Sequence, residues 1–268
     1  MKKILIVIAA AAFFIPAKAQ SIKLAVGKKF QIQFDSKMTM SLPIGGENME
    51  TVVSGQNFSS CEVKAVTNTG FTLILTTKRV KGSTSVMGED NAFDSDDPAT
   101  TSNPLAAGAI KMIGVPQEMV IENGVTTSGG ALASVVSNLG AGLDMSSYFL
   151  TLKDEKIKEG YQWTDSAGGG ENMHVFNQYT ITKADAEQVD VSINSDMVIN
   201  GTITQNGMEL KQNMKGNYIK ARIFDRKTGL LMSEKTTVTM TGNMEAMGNE
   251  IPISMKGSMA TAIKQTWL

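Results

Sequence analysis

The stretch from Ile251 to Trp267 constrains the fold more than any other part of the sequence. Its side chains alternate between two sets along the whole segment, IPISMKGSMATAIKQTW, and one of the sets is largely apolar. A period of two places one set on a buried face of a β-strand and the other set in water. At about 3.3 Å per residue this strand would be about 50 Å long, well beyond the usual length of roughly 3–10 residues. We therefore expect a strand that coils, bends or carries bulges, in a sheet that wraps around something.

The remaining chain contains further segments of the same kind. A second long strand is predicted from Lys28 to Leu42, followed by a turn from Pro43 to Gly46. Shorter strands are predicted at 48–53, 59–66, 71–77, 117–121, 175–182, 189–199, 202–214, 218–224 and 231–242. Asn123-Gly124 and the loop from Asp225 to Gly229 have the residues of hairpin turns. The sequence predicts a mainly all-β fold of long, curved antiparallel strands, open or half-barrel-like.

Two short helices and an acidic loop interrupt the predicted strands. Pro104 begins the first helix, which ends at Gly114. The second runs from Ala131 to Leu139, with apolar residues at i, i+3, i+4 and i+7. The segment from Gly88 to Asn103 is polar and acidic and is predicted to be an exposed loop.

A weak internal repeat of apolar positions suggests two similar halves, 20–128 and 150–268. Six apolar positions of the first half recur 118 residues later without a gap. They are Phe58, Cys61, Val63, Phe71, Leu73 and Leu75, followed by Phe176, Tyr179, Ile181, Val189, Val191 and Ile193. Residue identity is nearly absent, so duplication of a β-unit and chance similarity of two hairpins both stay open.

Residues Met1 to Ala19 have the three parts of a secretory signal peptide. Lys2 and Lys3 form the charged region, residues 4–15 the apolar run, and 17–19 the small-x-small cleavage site. We expect Gln20 to begin a mature chain of one β-rich domain, 20–268, that is exported to the periplasm or the exterior. No other apolar run approaches the roughly 18 residues of a membrane span, so no transmembrane segment is expected.

Charge and cysteine content limit the classes of partner. Removal of the signal peptide leaves 22 basic and 26 acidic residues, a net charge of −4 with His neutral. A mildly acidic chain lacks the basic face that nucleic acid requires, so nucleic acid is not an expected partner. Cys61 is the only cysteine, so the fold needs a hydrophobic core rather than disulfides.

Several segments together resemble an uncharacterised family of exported β-rich proteins from Gram-negative envelopes, a domain of unknown function. They are Lys156 to Trp163, the strand from Phe176, Asp225 to Gly229, Ile113-Gly114, Met119-Val120 and Asn123 to Val125. The resemblance implies a secreted β-protein and assigns no activity or site residue. In architecture alone, the predicted fold is similar to the half-barrels of periplasmic lipoprotein carriers.

No catalytic, cofactor-binding or metal-binding residues are predicted. A Ser or Cys nucleophile normally needs a partner base, and His174 is the only histidine. Cys61 alternates with Val63 and Ala65, which predicts a buried, inert thiol, and His174 is placed in a loop or at a strand end. We expect no enzyme, although carboxylates distant in sequence could still meet in space.

The acidic residues at 89–97 could supply oxygen ligands to Ca²⁺. They lack the glycine and the distal glutamate of an EF-hand loop, so a solvated loop is the preferred interpretation. Calcium binding there is left open.

The methionine content is the unusual feature of the composition, with 18 methionines in the chain. Pairs share a strand face, among them Met38 with Met40 and Met255 with Met259. Methionine suits surfaces that fit varied apolar partners, but it also fills ordinary cores. A third alternative, Cu(I) held by thioethers, is disfavoured because the pairs lie on strands distant in sequence.

Two functional hypotheses follow. The first is a non-catalytic carrier or binding protein for an apolar or lipid-like ligand in the cell envelope. The second is a structural protein that contacts another envelope protein and has no small-molecule ligand.

Overall fold

The structure is a computed structural model that describes residues 24–44, 47–86, 89–100, 110–128, 145–168, 173–205, 208–246 and 249–266. The predicted signal peptide, the predicted helix at 131–139 and most of the one at 104–114 lie outside these residues. In the described part of the chain, no helix is both long and apolar enough to cross a membrane.

Twelve strands within the described residues form one antiparallel sheet. Their bounds are β1 Lys29–Ile44, β2 Glu47–Val66, β3 Gly70–Val86, β4 Glu89–Asp94, β5 Pro116–Glu122, β6 Val125–Ser128, β7 Gln162–Gly168, β8 Met173–Ala184, β9 Gln188–Gln205, β10 Met208–Asp225, β11 Leu231–Ala246 and β12 Asn249–Thr266. The order across the sheet is β6-β5-β3-β2-β1-β12-β11-β10-β9-β8-β7, and β4 pairs with β3 beside β5. The sheet is open, so the predicted all-β, half-barrel-like fold is confirmed.

The strands are longer than the sequence predicted. The strands predicted at 48–53 and 59–66 are one strand, β2, because Ser54 to Phe58 pair with β1 despite their polarity. The breaks predicted after residues 199 and 214 are wrong as well. Gly201 pairs with Gln212 inside the ladder, β9 continues to Gln205, and β10 begins at Met208. Glycine and asparagine inside these strands were mistaken for turn signals.

The predicted acidic loop is partly wrong. Residues Glu89–Asp94 form β4, which pairs with β3 from Lys81 to Val86. Phe93 is only 6% exposed and packs on Val80, so one apolar side chain anchors an otherwise polar strand. Only residues 95–100 of the described part form the turns expected there.

Bulges and glycines bend the long strands. The ladders shift register at five places, including the β2–β3 pair at Val63/Ala65 and the β8–β9 pair at Ile181/Lys183. A Cβ atom at Gly242 would lie 2.1 Å from the backbone oxygen of Asn213 on the neighbouring strand. Bulges increase local twist and glycines permit close approach of backbones, which explains how strands of up to 20 residues fit in one curved sheet.

The main core lies at one end of the sheet, on the face that we call the inner face. It joins apolar side chains of the early part of β1, β3, β9 and β11 with those of the late part of β2, β8, β10 and β12. The segment Met145–Ile157, which contains two short 3₁₀ turns, closes this end. Phe149 packs edge-on against Phe71 at 4.4 Å between ring centroids and pairs with Leu230, so it connects the two halves of the chain.

Two hairpins of the sheet have the same register. Seven residue pairs of β2 and β3, from 59/77 to 66/71, recur 118 residues later in β8 and β9, from 177/195 to 184/189. The bulged residues correspond too, Lys64 and Thr182. In each connecting turn one side-chain oxygen, Oγ1 of Thr67 or Oδ1 of Asp185, accepts hydrogen bonds from the backbone amides two and three residues on. Two similar halves stay a prediction, which these registers support.

Candidate functional site

A row of methionines crosses the inner face at the end opposite to the main core. Met40 on β1 pairs with Met255 on β12, which pairs with Met240 on β11. Met240 is opposite Gly216 on β10, and Gly216 is opposite Met197 on β9. Residues directly opposite on antiparallel strands have Cβ atoms about 4.5–5.5 Å apart, so these side chains are neighbours.

The row belongs to a second apolar cluster, which we call the Met cluster. Its buried members are Met197, Met214, Val238, Met240 and Ile253, all 3–6% exposed. Partly buried side chains pack against them: Met38, Met40, Met173, Val175, Ile199, Tyr218, Met244 and Met255. Met38 and Met40 share this face, as predicted. Met255 packs against the Met cluster, and Met259 packs against the main core.

Glycines on the inner face make room for side chains of the Met cluster. A Cβ atom at Gly216 would lie 2.6 Å from Cγ of Met240, and one at Gly257 would lie 3.0 Å from a methyl carbon of Val238. The argument that these methionines are too far apart in the sequence to form a compact cluster was wrong, because sheet order decides which strands are in contact. β1 and β12 are adjacent in the sheet although ten of the described strands lie between them along the chain. The apolar neighbours Val238 and Ile253 favour an apolar occupant of this surface over a metal ion.

A separate cavity of about 290 Å³ lies on the inner face over strands β7 to β10, and we call it the aromatic cavity. Strands β7 to β10, the β5–β6 turn and the segment 146–152 surround it. Its lining is Gly124, Val125, Thr126, Ser146, Ser147, Phe149, Leu150, Thr151, Leu152, Trp163, Asp165, Tyr179, Val191, Ile193, Arg222 and Phe224. None of these side chains belongs to the Met cluster.

Stacked rings form one wall of the aromatic cavity. Trp163 on β7 and Tyr179 on β8 are cross-strand partners whose rings stack at 4.7 Å with 7° between their planes. Tyr161 stacks on Trp163 at 5.8 Å. The hydroxyl of Tyr179 donates a 2.9 Å hydrogen bond to Asp165, and Nδ2 of Asn177 donates a second one of 2.7 Å. The wall is therefore apolar on its faces and fixed by a carboxylate at its rim.

A buried ion pair forms another part of the cavity. Nε of Arg222 on β10 donates to Oε2 of Glu234, its cross-strand partner on β11, and the side chains are 10% and 13% exposed. Thr236, only 2% exposed, donates from its hydroxyl to Oε1 of the same glutamate at 3.3 Å. The sequence analysis missed this pair, because strand pairing between residues 222 and 234 depends on a bulge at Ile223/Phe224 that no local pattern shows.

The predictions for Cys61 and His174 agree with the structure. Cys61 is 1% exposed, and burial raises the pKa of its thiol to about 12, so the reactive thiolate does not form near neutral pH. His174 is exposed at the second residue of β8, the strand end where it was expected.

Two carboxylates of the acidic segment are paired with cations. Arg79 donates to both carboxylate oxygens of Asp94 at 2.9 and 2.6 Å and also contacts Asp96, and Lys81 lies 3.0 Å from Asp94. In the described ranges no group of three or more His, Cys, Asp or Glu is arranged to hold a metal ion. The ion pairs offset the negative charge of Asp94 and Asp96 within the protein.

Sequence comparison identifies one related family. The model of a family of unknown function, DUF6263, matches residues 144–231, about a third of the chain. The matched segment contains most of the lining of the aromatic cavity, from Ser146 to Phe224. No curated protein matches the sequence.

Structural comparison finds a fold-level likeness. A structure described as lipid–protein interactions in lipovitellin matches with a TM-score of 0.53 and 11% identity, over 91% of this chain. This chain spans 26% of the length of that one. The likeness shows a shared fold over the matched part of the two chains and nothing about function.

Weaker matches come from bacterial envelopes. An outer membrane channel from Pseudomonas putida F1 gives a TM-score of 0.29 and 7% identity over 91% of this chain and 98% of that one. A putative outer membrane lipoprotein-sorting protein domain from Vibrio parahaemolyticus gives 0.13 and 12%, over 87% and 85%. Scores this low carry no argument about fold or function.

Proposed function

We propose that the protein is an exported carrier or binding protein for an apolar, lipid-like ligand of the cell envelope, and that the Met cluster is its ligand surface. The observation that carries the proposal is the row Met40–Met255–Met240, three methionines on adjacent strands of one face. Methionine side chains are flexible and polarizable, so such a row can adapt to apolar ligands of varied shape.

The burial of the row supports a ligand-contacting role for part of it. Met240 is 6% exposed and serves as floor, whereas Met40 and Met255 are only partly buried and remain available for contact. A surface that only filled the core would not need three unbranched side chains in a line, because branched residues pack strands at a lower cost in side-chain entropy.

The fold and the N-terminus are consistent with this function. Lipovitellin, a protein whose structure concerns lipid–protein interactions, shares the fold at the level described above. The signal-peptide pattern of residues 1–19 favours export, which would place the protein where envelope lipids are available.

A neutral apolar dye tests the proposal directly. N-phenyl-1-naphthylamine, which fluoresces in apolar surroundings, should bind the wild-type protein and bind at least about tenfold more weakly to Met40→Gln/Met255→Gln, because each amide would be desolvated by the ligand. Met232→Gln is the matched control, since Met232 is partly buried on β11 but outside the Met cluster.

The opposite result would favour the structural alternative. If the wild-type protein does not bind the dye, or if the double variant and the control bind it equally, the Met cluster is packed core. A search for an envelope protein partner would then follow.

A further inference from the structure

The aromatic cavity occupies positions that are solid core in the first half of the molecule. The shared registers relate β1 to β7 by 133 residues, β2 to β8 by 118 and β5 to β10 by 103. The residues that correspond are Phe30 with Trp163, Ile32 with Asp165, Cys61 with Tyr179, and Met119 with Arg222. The first member of each pair is apolar and only 1–5% exposed.

The fold itself therefore does not require polar side chains at these positions. Four apolar residues fill them tightly in the first half, whereas the second half has a carboxylate, a phenol, an indole and a guanidinium around a space of about 290 Å³. Burial of a guanidinium opposes folding, and apolar replacements of similar volume are often neutral or stabilising. Met119 shows that an apolar side chain fits at the position of Arg222. The presence of a charged side chain there points to a ligand.

Arg222 lines the cavity and has donors without a partner among the described residues. A guanidinium carries five N–H donors. Among the described residues, the only hydrogen bond of the Arg222 side chain joins Nε to Glu234. Arg222 nevertheless lines the cavity and is 9% exposed as a residue. Its two Nη groups have no partner among the described residues, so they are available to donate hydrogen bonds to a bound molecule.

We propose that the aromatic cavity is a binding site for a carboxylate-bearing ligand, with Arg222 holding the carboxylate and the Trp163–Tyr179 wall contacting an apolar body. The planar fork of arginine matches a carboxylate, and charge-assisted hydrogen bonds are about twice as strong as neutral ones. The volume is close to the lower end of small-molecule pockets, roughly 300 Å³, so the part of the ligand that is enclosed is compact. This site does not depend on the function proposed for the Met cluster.

The fluorescence of Trp163 provides a direct assay. Trp163 and Trp267 are the two tryptophans of the chain, so a Trp267→Phe background isolates the cavity signal. In this background, titration with 4-phenylbutanoate should change the emission and saturate. The alcohol 4-phenylbutanol, which has the same body without the carboxylate, should bind at least about tenfold more weakly, as expected for hydrogen bonds to a charged group.

A paired substitution removes the guanidinium without leaving a buried charge. Arg222→Met/Glu234→Met gives the second half the residue that the first half has at Met119, and 4-phenylbutanoate should lose at least about tenfold in affinity. Arg222→Lys, which keeps the charge but not the fork, should lie in between. Arg79→Met removes an arginine from a different carboxylate pair and should leave the affinity unchanged.

Competition with hexadecanoate identifies the source of the carboxylate. Displacement of 4-phenylbutanoate by hexadecanoate in an Arg222-dependent manner assigns the site to the head of a fatty acid. No displacement assigns it to a free small acid. The proposal is overturned if neither acid binds at millimolar concentration, if the alcohol equals the acid, or if the double variant retains full affinity.

Discussion

Removal of Arg222 should destabilise the fold far more than removal of the whole ion pair. The Arg222→Met variant leaves the Glu234 carboxylate on the inner face with the hydroxyl of Thr236 as its remaining hydrogen-bond donor among the described side chains. Because the paired side chains are only 10% and 13% exposed, little solvent is available to replace the guanidinium. Loss of one partner of a buried pair costs about 3–5 kcal/mol.

For the double variant Arg222→Met/Glu234→Met we expect no loss of stability, or an increase in the free energy of unfolding. Replacement of a buried pair by apolar residues of similar volume is often neutral or stabilises by about 1–4 kcal/mol. Met119, 3% exposed at the corresponding position of the first half, shows that a methionine can pack there. The second substitution should therefore recover the whole loss caused by the first.

Urea unfolding of the ligand-free protein, followed by Trp fluorescence, measures both variants against wild type in one series. Glu234→Met completes the thermodynamic cycle and should also be destabilised, since it leaves the guanidinium buried alone. If Arg222→Met costs less than about 1 kcal/mol, which is the range of exposed pairs, the pair is solvated and the argument fails.

Four further outcomes concern single sites or segments. Cys61, whose thiol pKa is raised to about 12 by burial, should react with Ellman's reagent in urea but not in the native state; rapid native reaction would show that β2 opens. Gly216→Ala should destabilise by about 1–3 kcal/mol in urea unfolding because its Cβ would meet Met240 at 2.6 Å, and an unchanged midpoint would show that the Met cluster is loose. The hydrogen bonds from Arg79 lower the pKa of Asp94, so the contribution of this pair is complete above the ordinary aspartate pKa of about 4 and is lost as the pH falls below it. Amide exchange of β4 should accelerate over that acid range in wild type and be less pH-dependent in Asp94→Asn. Saturating Ca²⁺ should leave the melting temperature unchanged, and a rise in the melting temperature would restore the calcium hypothesis.

Alternation along the chain was sufficient to predict the strands with a continuous inner face. β12 and β1 were placed within two residues at each end in the described part, because each has an uninterrupted period of two. The same rule failed in the middle of β2 and β9. There the inner positions Gly55 and Gly201 have no side chain, and their ladder pairing with Ser36 and Gln212 is decided by the neighbouring strand.

The candidate sites were predicted less completely because they depend on sheet order. Met40 and Met255 are more than 200 residues apart in the sequence, and they meet because β1 pairs with β12. Arg222 and Glu234 are close in sequence, but their pairing follows from a bulge. A comparison of corresponding positions in the two predicted halves, as for Met119 and Arg222, would have provided a signal for the aromatic cavity had the register been known.

The central claim is tested most directly by native mass spectrometry of the protein purified from the native cell envelope. Organic extraction of the same preparation identifies any molecules that co-purify with the protein. The account predicts a lipid or another apolar molecule bound at close to one per chain, which is lost or reduced in Met40→Gln/Met255→Gln. A ligand-free mass, together with no uptake of N-phenyl-1-naphthylamine by the same preparation, would contradict the assignment of the Met cluster as a ligand surface.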